Sequence, residues 1–299
     1  MKKTVFTGAG CAIVTPMNPD GSINYTLLNE LIDFQIENGT DAIIIAGTTG
    51  EASTFTDAEH INILYHAVNA VAGRVPVVAG AGSNDTSYAV ALSKEAKTAG
   101  VDALLHVTPY YNKTSQKGLV KHFTAIADAT DLPVILYNVP SRTGMSISLA
   151  AYKELAKHPN IVGTKEACGN ISAIAEIAAE CDLDIYSGND DQIVPILSLG
   201  GKGVISVLSN IMPRETHDIC RLYFEGDVAA SCKLQLELLK LINHLFIDVN
   251  PVPVKAALEM MGYPVGRCRP PLDTLTDEHA AILKQSLERH GLIKAANNG

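Results

Sequence analysis

The chain has 299 residues, 47% of them hydrophobic and 18% charged, and a formal net charge of -9 from 23 Lys and Arg against 32 Asp and Glu. That length holds one closed α/β barrel with an appendage as well as it holds two ordinary domains, and the apolar content supports a large core without covalent staples. An acidic balance with no Lys/Arg cluster argues against nucleic acid as a partner, and no run nears the ~18 apolar residues that a membrane span needs.

The chain opens on two lysines and reaches Gly8 and Gly10 with no signal-like apolar segment. Its six cysteines are scattered, with no C-x-x-C pair and no histidine at metal-ligand spacing. They read as buried thiols, and a soluble cytoplasmic protein with no metal is expected.

Short apolar, β-branched runs recur at residues 11–14, 42–45, 75–79, 103–107, 133–137, 161–165, 184–187 and 203–206. Their spacing is that of a βα unit. Helical patterns lie between them. One spans 25–38, with Asn24 as its cap and Gly39 past its end; the next opens on Thr56 with Glu59 at capping-box spacing; another spans 86–99, capped by Asn84 or Asp85 and stopped at Gly100. Eight alternating strands and helices predict a (β/α)8 TIM barrel of parallel strands over residues 1–224. A doubly wound sheet is the rival, but neither G-x-G-x-x-G after the first strand nor a P-loop pattern occurs.

Residues 225–299 read as a C-terminal helical extension packed on the barrel. An apolar helical stretch covers 227–248 and a last helix 277–290, with Pro251, Pro253, Pro264, Pro270 and Pro271 as punctuation between them.

In such a barrel the active site lies at the C-terminal ends of the strands. The mouth residues are then Thr15-Pro16, 47–51 (Gly-Thr-Thr-Gly-Glu), 80–84, 108–112 (Thr-Pro-Tyr-Tyr-Asn), 138–144, Lys165-Glu166, 188–190 and Ser206. Strand alternation places Ile161, Gly163 and Lys165 on one face and turns Tyr137 inward beside the lysine. A lysine facing a barrel interior either snorkels to water or has a task. A desolvated ammonium loses its proton more readily, and the neutral amine attacks carbonyl carbon.

Lys165 is thus a candidate imine-forming nucleophile, with Tyr137 to carry protons and Thr48 and Thr49 to receive a carboxylate. An imine acts as an electron sink, so an enamine can make a carbon–carbon bond with no metal or organic cofactor. Taken singly, each residue has a plainer reading: a snorkelling lysine, a core tyrosine, a turn with a helix cap, and an exposed Arg142. Tyr110 and Tyr111 fit an interface pair. No Ser-His-Asp signature and no paired carboxylates are present.

Six stretches carry a resemblance: 47–51, 108–112, 137–144 (Tyr-Asn-Val-Pro-Ser-Arg-Thr-Gly), 164–167 (Thr-Lys-Glu-Ala), 187–190 (Ser-Gly-Asn-Asp) and 250–255 (Asn-Pro-Val-Pro-Val-Lys). In order and spacing, from about Phe6 to about Leu292, the chain resembles the dihydrodipicolinate synthase family, relatives of N-acetylneuraminate lyase and the 2-keto-3-deoxy sugar-acid aldolases. The resemblance implies a lyase that condenses pyruvate with aspartate 4-semialdehyde on the way to diaminopimelate and lysine. It implies Lys165 as the Schiff-base residue and Tyr137, Thr49 and Tyr111 as a proton relay, Tyr111 arriving from a neighbouring subunit.

By the same resemblance Thr48 and Thr49 hold the pyruvate carboxylate, Gly188 and Ile205 offer backbone groups, and Arg142 takes the semialdehyde carboxylate. The family is usually a homotetramer, a dimer of dimers. Arg142 favours the synthase over the sugar-acid enzymes, which need hydroxyl-reading groups instead. At the positions where feedback-sensitive synthases bind lysine, this chain has Ala52-Ser53, Asp57, His60, Asn84, Tyr88 and Tyr110. Tyr88 replaces a glutamate and Asp57 a histidine, so weak or absent lysine inhibition is expected.

Overall fold

The computed structural model describes residues 2–294. Eight parallel strands close in chain order into a barrel: β1 (Gly8–Ala12), β2 (Ala42–Ile45), β3 (Val77–Gly80), β4 (Ala103–Val107), β5 (Val134–Asn138), β6 (Ile161–Glu166), β7 (Asp184–Ser187) and β8 (Gly203–Ser206), with β8 paired back onto β1. Around it run α1 (Tyr25–Glu37), α2 (Asp57–Val71), α3 (Thr86–Ala99), α4 (Gln116–Asp128), α5 (Pro140–Thr143), α6 (Leu149–Leu155), α7 (Ile171–Glu180), α8 (Ile193–Ser198) and α9 (Pro213–Phe224). Three further helices follow, α10 (Val228–His244), α11 (Val252–Met260) and α12 (Asp277–Arg289), with α10 on α9 and α12 against α10 and α11.

Strand alternation divides the apolar residues into two cores. Ile43, Ile45, Ala79, Leu104, Leu136 and Val204 face the helices. Ala42, Ile44, Val78, Leu105, Ile135, Tyr137, Tyr186 and Ile205 fill the barrel. Phe6 closes its lower end, stacked on Tyr186 at 4.5 Å, while the Tyr186 hydroxyl donates to the Phe6 carbonyl at 2.7 Å. β1 begins three residues before its hydrophobic run because its inward positions must be small. A Cβ on Gly10 would lie 2.6 Å from Ile44 Cδ1 and 2.8 Å from Phe6 Cζ.

The helix starts follow their caps. Asn24 accepts from Leu27 N at 3.0 Å, Thr56 and Glu59 close a capping box, and Asp85 rather than Asn84 caps α3. Asp227 caps α10, which stops at His244, short of the predicted 248.

Two expectations need correction. Pro251 and Pro253 do not merely punctuate: Pro251 caps α11 and Pro253 lies in its first turn, where a missing N–H leaves no intrahelical bond unmade. Ile161 does not share a face with Lys165. β6 carries one extra residue against β5, Val134 pairing with Ile161 but Ile135 with Gly163, so Ile161 joins the outer core and Val162 the inner one.

Candidate active site

The register above the bulge sets Lys165 between Tyr137 on β5 and Tyr186 on β7. All three point into the barrel, and the Lys165 ammonium lies 4.4 Å from the centroid of the Tyr137 ring. Lys165 is 7% exposed and Tyr137 8%, so both are nearly withdrawn from water yet reach the open end of the barrel. Beyond β7, the buried Asp190 accepts from Val207 N at 3.1 Å and Leu208 N at 3.0 Å. Burial raises its carboxyl above the usual range, opposed by these bonds and the charge of Lys165.

The loop after β2 carries Thr48 and Thr49 between two left-handed residues, Ala46 (φ 54°) and Glu51 (φ 59°). Thr49 is buried and Thr48 exposed. What fixes this loop comes from the far end of the chain. Lys255 on α11 donates to Glu51 Oε1 at 2.8 Å, with 3% and 0% of the two side chains exposed, and also to the carbonyls of Thr15 (3.2 Å) and Arg267 (3.1 Å). The second Glu51 oxygen accepts from Arg269 N at 2.8 Å. Nearer the site, Asn250 Nδ2 donates to Thr49 Oγ1 at 3.0 Å.

Arg142 stands on α5, the single turn that follows β5, and its Nη2 donates to the backbone carbonyl of Asn250 at 3.1 Å. Thr48, Thr49, Tyr137, Arg142, Lys165, Gly188 and Asn250 all line one cavity of about 530 Å³. Two of the expected site residues do not line it. Ile205 sits in the barrel interior and is not among the cavity's lining. Tyr111 is 93% exposed, held at φ 67°, and is likewise not among the lining.

Two expected mouth residues face the other way. Ser206 is buried and accepts from Ser209 N at 2.8 Å. Glu166 projects outward from β6 to accept from the Tyr152 hydroxyl and from Asn138 Nδ2 at 3.0 Å, beside a separate cavity of about 230 Å³. Burial raises its carboxyl against the pull of those bonds. Asn138 also receives Ile147 N at 3.2 Å, which ties the segment after Arg142 to the strand that carries Tyr137.

Also lining the larger cavity, Tyr88 donates to Asp57 Oδ1 at 2.8 Å, and burial together with that bond pushes its phenol up to about 12. Asn84 Nδ2 donates to the Tyr110 carbonyl at 3.1 Å. Among the described residues no three His, Cys, Asp or Glu side chains converge as metal ligands, and no helix is long and apolar enough to cross a membrane. A cavity residue to which sequence reasoning gives no role is Asn250. Its stretch belongs to the resemblance, but nothing in residue spacing shows that it meets a loop 200 positions earlier.

The profile of the Dihydrodipicolinate synthetase family matches residues 5–290. A 4-hydroxy-tetrahydrodipicolinate synthase of Lachnoclostridium phytofermentans is 58% identical over 292 residues, 97% of this chain and 99% of that protein. One of Caldicellulosiruptor saccharolyticus is 56% identical over 289 residues, covering 96% and 98%. The crystal structure of a dihydrodipicolinate synthase from Aquifex aeolicus superposes with a TM-score of 0.94 at 41% identity, covering 97% of this chain and all of that one. With a matching profile, close relatives along nearly its whole length and the same barrel, the chain belongs to the dihydrodipicolinate synthetase family.

Proposed function

We propose that this chain is a lyase that condenses pyruvate with L-aspartate 4-semialdehyde to 4-hydroxy-tetrahydrodipicolinate. The observation that carries the chemistry is Lys165 lying 4.4 Å from the Tyr137 ring at the head of one cavity. Relatives more than half identical along their length bear this activity in their names. The neutral amine of Lys165 attacks the ketone carbon of pyruvate, and the carbinolamine loses water to give an imine. Loss of a methyl proton then gives an enamine, whose carbon attacks the aldehyde and takes the new bond while the oxygen gains a proton. Attack by the substrate's own amine on the imine carbon closes the ring and frees Lys165.

Tyr137 is placed to pass protons at the carbinolamine. Thr49, its oxygen already taken by Asn250, keeps its hydroxyl hydrogen for the pyruvate carboxylate, with the backbone of the same turn. Thr48 has an exposed hydroxyl with no intramolecular partner among the described residues, and we assign it the relay step in preference to Thr49. Arg142 at the cavity wall offers a planar fork to the carboxylate of the semialdehyde. A sugar-acid substrate would need hydroxyl-reading groups where Arg142 stands.

We propose further that the relay is completed by Tyr111 of a second copy, in a homotetramer built as a dimer of dimers. Its exposure and left-handed backbone support this, since a tyrosine so displayed has no contact to justify it within one chain. A 38% identical solved relative is described as the first monomeric variant, so assembly is to be measured by sedimentation.

The test is borohydride reduction in the presence of pyruvate, followed by mass spectrometry. An adduct on Lys165 is expected, and folded protein without one would overturn the reading. Arg142→Ala should keep the adduct and lose semialdehyde turnover.

A further inference from the structure

Asn250 touches both halves of the site through different atoms. Its side-chain Nδ2 donates to Thr49 Oγ1 at 3.0 Å, and its backbone carbonyl accepts from Arg142 Nη2 at 3.1 Å. The residue is 6% exposed, lines the cavity, and its Oδ1 has no protein partner. It is also held firmly. Five residues on, Lys255 is locked to Glu51, two residues beyond Thr49, so segments 49–51 and 250–255 are joined at two points.

A threonine hydroxyl has one hydrogen and two lone pairs. When Asn250 supplies a hydrogen to that oxygen, the hydroxyl's own hydrogen is left for another acceptor, and the cavity is where a carboxylate would be. An unconstrained threonine would instead rotate and divide that hydrogen among whatever acceptors surround it. We infer that Asn250 is a positioning residue that sets the polarity of Thr49 as a donor to the keto-acid carboxylate, while its backbone carbonyl fixes the guanidinium of Arg142 for the second carboxylate. One residue of the C-terminal extension thereby sets both anion contacts and the span between them. This rests on the reading that the cavity takes pyruvate.

Substitution separates the two links, because the backbone carbonyl survives any side-chain change. Asn250→Asp keeps the shape but reverses the polarity: the new carboxylate accepts the Thr49 hydrogen and repels the substrate's carboxylate. Asn250→Ala merely releases Thr49. If the side chain only filled space, the near-isosteric aspartate would be the milder change.

The measurement is the pyruvate concentration that half-saturates borohydride labelling of Lys165, which does not depend on how much protein is folded, together with KM for the semialdehyde. Expected are a rise of about fivefold for Asn250→Ala and more than about thirtyfold for Asn250→Asp, with the semialdehyde KM within about twofold of wild type for the alanine variant. Thr49→Val should remove most of the effect of Asn250→Ala when the two are combined, since both delete the same donor. The inference is overturned if Asn250→Asp is equal to or milder than Asn250→Ala, or if Thr49→Val and Asn250→Ala multiply independently. Should the aspartate variant fail to fold, the Thr49→Val cycle decides alone. A wild-type protein that is not labelled refutes the functional reading instead, so the two failures are distinct.

Discussion

Lys255→Met tests what holds the threonine loop. Lys255 is 2% exposed and its ammonium donates to Glu51 Oε1 at 2.8 Å and to two backbone carbonyls. Methionine fills similar volume and supplies no donor. The Glu51 carboxylate would keep the Arg269 N–H and the Cys268 thiol but lose its cation, and the carbonyls of Thr15 and Arg267 would lose a partner. Breaking a buried pair from one side costs about 3–5 kcal/mol. For a chain of this size that corresponds to a fall of roughly 5–8 °C in Tm.

Glu51→Gln added to Lys255→Met removes the stranded charge while leaving an acceptor for Arg269 N, and should recover about half of the loss. Urea unfolding at one fixed protein concentration measures both variants, with half-saturating pyruvate read alongside because the loop carries Thr48 and Thr49. A loss below about 1 kcal/mol for Lys255→Met, or further destabilisation on adding Glu51→Gln, would refute the claim that this pair anchors the loop.

Three other outcomes are expected. His106 is fully buried, bonded through Nε2 to Ser93 Oγ at 3.2 Å, and burial, with His122 nearby, pushes it down to about 3. The unfolded chain takes up this proton near pH 6.5 and the folded chain does not. Stability is therefore full above that pH and falls on acidification toward pH 3, by up to about 1.4 kcal/mol per pH unit for this one group. In His106→Gln the urea midpoint should vary less steeply between pH 6 and 4, and an unchanged slope would count against the assignment. Millimolar lysine should leave turnover nearly unchanged, because Asp57 is engaged by Tyr88 at 2.8 Å and no glutamate stands at position 88; strong inhibition in a steady-state assay would contradict this. Tyr111→Phe should lower turnover at least tenfold with sedimentation unaltered, whereas wild-type turnover would remove Tyr111 from the relay.

Residue pattern reached far into this protein where the signal was local or periodic. Alternation turned Tyr137 and Lys165 to the same interior, and the capping box at Thr56 and Glu59 marked a real helix start. It failed where small residues or long range decide. Gly10 belongs to β1 because the barrel interior leaves no room there, and Gly8 because its φ of 112° and the Asp41 carboxylate exclude a side chain, neither of which a hydrophobic run reveals. Pro253 reads as a breaker until its place in a first turn is seen. The meeting of Asn250 with Thr49 and of Lys255 with Glu51 joins residues some 200 positions apart, beyond any local pattern. Ser206 and Glu166 were misplaced because following a strand is a weaker condition than facing its inner side.

The extra residue in β6 divides that strand into two separately phased halves. Pairing with Tyr137 and Tyr186 decides which way Lys165 turns, whatever happens upstream. The lower half divides its side chains, Ile161 going to the helix layer and Val162 to the interior. Loss of Val162 would therefore be absorbed where the surplus already lies, leaving the nucleophile inward, while loss of Thr164 would turn it out of the barrel. The strand carries its own insulation against a counting error, and that insulation ends two residues before the amine.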